Sequence, residues 1–168
     1  MAYSTANMLG ANFAQVFTPS TDLYPYTGEV PFAVGQLAQA TDGGLWVYVL
    51  ALENLAQYDA VAVSELFVAS QATDTEADDG WKFGVAAAVA IPADSYGWVQ
   101  VRGPTTVFVT GSCAPDVPLF VSATAGAITD NTTVGTRIKG IVTTTTNSVT
   151  TKAAVAAFMS IEPFYDFT

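Results

Sequence analysis

The feature that most constrains this chain is a series of short apolar runs, rich in valine, threonine and aromatic residues, between clusters of Gly, Pro, Asp and Asn. β-branched and aromatic side chains fit a pleated sheet, and short runs with turn residues between them are typical of a sandwich or barrel. We therefore predict an all-β fold. The runs lie at 32–40, 45–52, 60–69, 81–91, 96–102, 105–110, 118–123, 136–145 and 153–161.

Two tight turns are predicted between these runs. Thr41-Asp42-Gly43-Gly44 joins 32–40 to 45–52, and a short Asp-Gly-Gly loop between apolar runs indicates a β-hairpin. Gly103-Pro104 precedes 105–110, which we interpret as the hairpin partner of 96–102.

Two segments have a less regular composition. Residues 153–159 are rich in alanine, the best helix former, but the neighbouring Val, Phe and Ile favour a strand. Residues 70–80 are polar and acidic, so we expect an exposed loop that faces outward.

The run 45–52 is apolar on both faces. Successive strand residues point to opposite sides, so Trp46 and Tyr48 share one face while Val47 and Val49 share the other. This pattern predicts burial on both sides or an oligomer contact. The candidate oligomer-interface residues are Trp46, Tyr48 and Trp98. Together with Trp81, the two tryptophans could instead line a sugar site, although core or interface packing is the commoner use of such residues.

Residues 1–30 differ from residues 31–168, which form the predicted β-domain. They carry isolated apolar side chains among Ser, Thr, Asn, Pro and Gly, without a clean period. Because Pro19 and Pro25 interrupt any long helix, we predict an extended arm with one short helical turn near residues 11–17. Such an arm cannot bury its own aromatic side chains and therefore needs a partner surface. The candidate partner-binding residues are Phe13, Val16, Phe17, Tyr24 and Tyr26.

The charge pattern and the length of the apolar runs argue against two classes of partner, nucleic acids and membranes. Fifteen acidic residues stand against five scattered basic ones, giving a net charge of −10, whereas a nucleic-acid binder needs clustered cations. The longest apolar run, 85–91, is far shorter than the roughly 20 residues of a membrane span. No targeting segment is visible in residues 1–20, so we expect synthesis in the cytoplasm, with no nucleic-acid or membrane partner.

The residues that usually carry chemistry are sparse. The sequence has no histidine, which removes the commonest general base and the usual Ser-His, Cys-His and zinc sites. Cys113 is the single cysteine and reads as a buried thiol. The acidic stretch 74–85 fails as an EF-hand loop because positions 6 and 12 hold Asp79 and Val85. We predict a protein that is not an enzyme and has no cofactor.

The order of motifs resembles the capsid decoration, or cement, proteins of tailed phages. The likeness covers approximately residues 32–161 and depends mainly on YGWVQVRG at 96–103 and SATAG at 122–126. It implies a compact β-barrel, β-tulip or jelly-roll-like domain. It also implies a trimer at local three-fold positions of an icosahedral shell, with the N-terminal arm, residues 1–30, on the major capsid protein.

These features together predict a structural virion protein on the capsid exterior that stabilises the shell. Another virion part of similar composition, such as a head fibre base, tail or baseplate component, is an alternative. A carbohydrate-binding adhesive β-module is a second alternative, in which exposed Trp or Tyr side chains would stack on sugars.

Overall fold

A computed structural model describes residues 11–19, 30–79, 81–133 and 135–166. Within these residues the chain forms ten strands and one five-residue helix, so the all-β prediction is confirmed. In chain order the elements are β1 (Leu37–Gln39), β2 (Leu45–Ala51), β3 (Ala60–Val63), β4 (Val68–Gln71), α1 (Asp74–Asp78), β5 (Lys82–Val85), β6 (Tyr96–Val109), β7 (Leu119–Val121), β8 (Ile128–Thr129), β9 (Arg137–Thr143) and β10 (Ala153–Asp166).

The first barrel is a closed ring of five strands. β2 pairs in parallel with β4, and the antiparallel pairs β4–β3, β3–β5, β5–β6 and β6–β2 complete the ring. Alternate side chains of these strands point inward and form one buried cluster, the first core. Its members include Val47, Val49, Val61, Val63, Val99 and Val101.

The far half of β6 belongs to a second ring. There β6 pairs with β10 and with β8. β10 also pairs with β9, β9 pairs with β7, and β7 pairs with β8, which closes the ring. The buried cluster associated with this ring is the second core, which includes Val107, Val109, Leu119, Ile128, Ile141 and Met159. The 14-residue strand β6 is therefore the element that both rings share.

Strands β3 and β5 separate the two cores. In β3, Val61 and Val63 join the first core, whereas Ala60 and Ala62 join the second. All four residues are buried, which explains why this strand reads as a continuous apolar run. In β5, Gly84 leaves room for the first core, because a Cβ there would lie 2.5 Å from Val99 Cγ1.

Several sequence predictions are confirmed. The run 45–52 is β2, and residues 153–161 lie in a strand rather than a helix. The Asp-Gly-Gly hairpin joins β1 to β2, with Gly43 at a φ of +85° and the Gly44 amide donating to Asp42 Oδ1 over 2.8 Å.

The single strand predicted over 60–69 is wrong. β3 and β4 form an antiparallel pair around a turn in which Phe67 has a φ of +58°. The Ser64 hydroxyl accepts a hydrogen bond from the Val68 amide at 3.2 Å, which supports the turn without glycine or proline.

The hairpin predicted between 96–102 and 105–110 is also wrong. The chain bends at Gly103, which has a φ of +98°, but continues in the same strand β6. The side-chain amide of Gln100 donates to the carbonyls of Arg102 and Pro104 across the bend. Gly103 therefore bends the strand as it passes from the first ring to the second.

The acidic segment 70–80 is only partly the exposed loop that we predicted. It contains α1, in which Asp74 and Thr75 are exposed. Ala72 and Ala77 are fully buried in the second core, and they fix this segment to the barrel.

Candidate functional site

An aromatic layer, formed by Trp46, Tyr48 and Trp98, covers the outer face of β2 and β6. The alternation of strand side chains puts Val47 and Val99 inside the first barrel and these three outside it. Nevertheless Trp46 is only 7% exposed, and Tyr48 and Trp98 are each 1% exposed. The outer face of the barrel is therefore a second buried surface.

Two aromatic residues from outside the ring cover this layer. The Phe13 ring stacks on Trp46 with centroids 4.7 Å apart and meets Trp98 edge-on at 5.6 Å. Phe32 contacts Tyr48 and Trp98 edge-on, at 5.3 and 5.1 Å. Such geometries are the favourable ones for aromatic pairs, each contributing about 0.5–1.5 kcal/mol beyond area burial.

The N-terminal segment, residues 11–19, carries Phe13 and lies against the barrel. Phe17 and Tyr96 exchange two backbone hydrogen bonds of 2.9 and 2.8 Å, and Val16 packs on the first core. The segment has a turn in which Asn12 Oδ1 accepts from the Ala14 amide at 3.0 Å, but not the helical turn that we predicted. The Phe17 bridge, the packed side chains of Phe13, Val16 and Phe17, and a 2.9 Å hydrogen bond between the Thr18 and Ser95 hydroxyl groups hold the segment in place.

Within the part of the chain that the structure describes, the polar atoms of the aromatic layer have no partner. Trp46 Nε1, Tyr48 Oη and Trp98 Nε1 are buried there without a hydrogen bond. Burial, together with the nearby Tyr96 hydroxyl, raises the pKa of Tyr48 well above its ordinary value, so this phenol stays neutral. Each unpaired buried donor costs about 1–3 kcal/mol relative to a paired one.

A polar cleft of about 730 Å³ lies beside the aromatic layer. The residues that matter for its chemistry are Phe13, Asp42, Trp46, Tyr58, Gln100 and Thr105. Thr105 Oγ1 is a further buried polar atom that has no partner among the described residues. This cleft therefore brings unpaired hydrogen-bonding groups and aromatic rings to one place.

A second polar cluster is centred on Asp59, the residue that follows Tyr58. The Asp59 carboxylate is fully buried and accepts hydrogen bonds from the Ala56 amide, Gln71 Nε2 and Lys152 Nζ at 2.7–2.8 Å. The Lys152 ammonium also lies 4.5 Å from the centroid of the Phe108 ring. Because both oxygens of this carboxylate accept hydrogen bonds, the cluster stabilises the fold and is not a reactive site.

The predicted partner-binding residues divide into two groups. Phe13, Val16 and Phe17 pack on the chain's own barrel, whereas Tyr24 and Tyr26 lie outside the described residues. Their role toward a partner stays a prediction.

The predicted oligomer-interface residues are Trp46, Tyr48 and Trp98, which the structure brings together in the aromatic layer. Intrachain contacts already bury them, and this explains why both faces of 45–52 are apolar. Their role in an oligomer also stays a prediction. Trp81, the third tryptophan, is partly buried against the second core.

Sequence reasoning missed Phe32, Thr105 and the Asp59–Lys152 pair. Asp42 had been interpreted only as a turn residue, and no local pattern distinguishes the others from ordinary strand and loop residues.

Three further features of the described residues bear on chemistry. No three His, Cys, Asp or Glu side chains in this part of the chain come together as metal ligands. Burial raises the pKa of the Cys113 thiol, as expected for an inert cysteine. None of the described helices has the length and apolarity needed to span a membrane. Neither a protein-family model nor a curated protein matches the chain.

Proposed function

We propose that this chain is a structural virion protein that binds the outer surface of an assembled icosahedral capsid and stabilises it. The resemblance of 96–103 and 122–126 to phage decoration proteins supports this assignment, as does the all-β barrel fold. The partner is the major capsid protein, and the chain acts as a trimer at local three-fold sites.

The observation that carries the proposal is the way the N-terminal segment binds to the sheet of its own barrel. Phe17 adds one β-bridge to Tyr96, and Phe13 inserts its ring against Trp46. Main-chain bonds to a strand edge and a few inserted side chains are the means by which extended peptides bind sheets of other proteins. An arm of this composition is therefore suited to docking on a capsid sheet.

Three such arms on one trimer strengthen a weak contact. Once one arm is bound, the others bind at a high effective concentration, so avidity exceeds the affinity of a single arm. A ligand that binds only the assembled shell stabilises that shell by mass action. The net charge of −10 favours a basic capsid surface.

Sedimentation with undecorated, expanded capsids tests the proposal. We expect saturable binding at a fixed number of copies per shell and a raised melting temperature of the capsid. No binding by the folded full-length chain would contradict the proposal.

Two truncations test the role of the arm. Deletion of residues 1–28 is expected to abolish shell binding while leaving a folded domain. Deletion of residues 1–10 is the matched variant, because it keeps Phe13 on Trp46 and the aromatic layer covered. Unchanged shell occupancy after the longer deletion would show that the arm does not bind the capsid.

A further inference from the structure

We propose that the polar cleft beside the aromatic layer binds a neutral saccharide. Trp46 and Thr105 each present a buried polar atom without a partner, and both residues line the cleft. Trp46 is 93% buried, so its indole N–H has lost its hydration and has gained no hydrogen bond in return. Ligand hydroxyl groups suit both atoms, since a hydroxyl can accept from an indole N–H and can donate to a threonine oxygen.

Three polar side chains converge near Gly44, at the edge of this cleft. A Cβ on Gly44 would lie 2.9 Å from Asp42 Oδ1, 3.2 Å from Gln100 Nε2 and 3.2 Å from Trp46 Nε1. The absence of a side chain at Gly44 therefore lets an acceptor, an amide and an indole N–H come together. Asp42 Oδ1 already accepts a hydrogen bond from the Gly44 amide. Asp42 is exposed, and its other carboxylate oxygen is a further acceptor.

The lining of the cleft selects a class of ligand. Among the described residues that line it there is no lysine or arginine, and Asp42 is the only charged side chain, so anionic ligands such as phosphates and acidic sugars are disfavoured. Neutral donors and acceptors stand beside the aromatic rings of Phe13 and Tyr58. Sugars match this arrangement because they combine hydroxyl groups with apolar C–H faces.

An array of neutral and acidic glycans, probed with the purified full chain, is the first experiment. Calorimetric titration with the neutral oligosaccharides that bind then gives their dissociation constants. We expect saturable binding of neutral glycans and none of their sialylated or sulfated forms.

Two variants remove single hydrogen-bonding groups from the cleft. Trp46→Phe removes the indole N–H, and Thr105→Val removes the hydroxyl in a nearly isosteric way. Each is expected to weaken binding roughly threefold to tenfold, corresponding to one neutral hydrogen bond.

Trp98→Phe is the matched control. Trp98 Nε1 is also buried and unpaired, and its ring also meets Phe13, but the residue does not line the cleft. Its substitution is therefore expected to leave glycan affinity unchanged. Should Trp46→Phe fail to fold, Thr105→Val still tests the site.

Three results would overturn the proposal: no neutral glycan bound, stronger binding of acidic glycans, or equal weakening by Trp98→Phe and Trp46→Phe. Because the experiment contains no capsid, its outcome is independent of the proposed decoration function.

Discussion

The ion pair between Asp59 and Lys152 offers the sharpest test of what holds the two rings together. Asp59 lies immediately before β3 and is fully buried, while Lys152 lies immediately before β10 and is 29% exposed. Their atoms are 2.7 Å apart. Lys152 also donates to the Ala125 carbonyl at 3.3 Å, so its removal breaks contacts with two separate parts of the chain.

Replacing Lys152 with Met keeps most of the aliphatic stem but removes the charge. Removing one partner of a buried pair costs about 3–5 kcal/mol, because the other charge remains buried and uncompensated. The partial exposure of Lys152 puts the expected cost near the lower end, at about 3 kcal/mol. For a chain of this size each kcal/mol lowers the melting temperature by about 2–4 °C, so a fall of roughly 6–12 °C is expected.

Urea and thermal unfolding of Lys152→Met, Asp59→Asn and the double variant complete a double-mutant cycle. Asp59→Asn retains an oxygen acceptor for the Ala56 amide. We expect a coupling free energy of at least about 1.5 kcal/mol, since each single change removes the same interaction. Arg137→Met, at an exposed position of β9, controls for loss of positive charge alone. A coupling below about 0.5 kcal/mol, or equal effects of Lys152→Met and Arg137→Met, would refute the reasoning.

Three other substitutions and one chemical modification test single features of the fold. Tyr48→Phe removes a hydroxyl without a partner, so unfolding in urea should show unchanged or slightly increased stability. Gly103→Ala puts a Cβ 2.8 Å from the Gly44 Cα and should cost about 1–3 kcal/mol. Gly43→Ala shares the positive φ but meets no atom within 4 Å, and it should cost less in the same assay. Burial raises the pKa of Cys113, so iodoacetamide at pH 8 should modify the unfolded chain and spare the native one, as mass spectrometry can report.

Periodicity predicted those parts of the fold in which strand residues alternate between two surfaces. β2 is the best example, since both of its faces are apolar and both are buried. The turn between β3 and β4 was not predicted because it contains no glycine, proline or asparagine. A serine hydroxyl and the left-handed backbone of Phe67 make this turn, and neither has a strong local signature.

The error at Gly103-Pro104 has a different cause. Glycine with a following proline usually marks a turn, but the same residues can bend a strand that continues. Here the strand continues: Gly103 and Pro104 pair with β10, and the Gln100 side chain bonds to the carbonyls on both sides of the bend. The partner of a glutamine side chain is a tertiary property that no sequence pattern of this chain reveals.

The candidate site was predicted only in its strand component. Alternation placed Trp46 and Tyr48 on one face, but it could not show which segment covers them. Phe13 and Phe32 are isolated aromatic residues among polar neighbours, and each reaches the aromatic layer through contacts distant in sequence. Contacts of this kind depend on how loops pass over the barrel, so local propensity does not specify them.

The position of Phe13 connects the two proposals through one segment. Its ring covers Trp46 and also lines the polar cleft. If the N-terminal segment left the barrel to bind a capsid sheet, the cleft would therefore change. Thermodynamic reciprocity requires that a ligand in the cleft change the affinity for the capsid by the same factor by which capsid binding changes the affinity for the ligand. A saccharide that packs on Phe13 should hold the N-terminal segment on the barrel and weaken shell binding. Measuring shell occupancy with and without the bound neutral glycan tests this coupling, and equal occupancy would show that the arm and the cleft act independently.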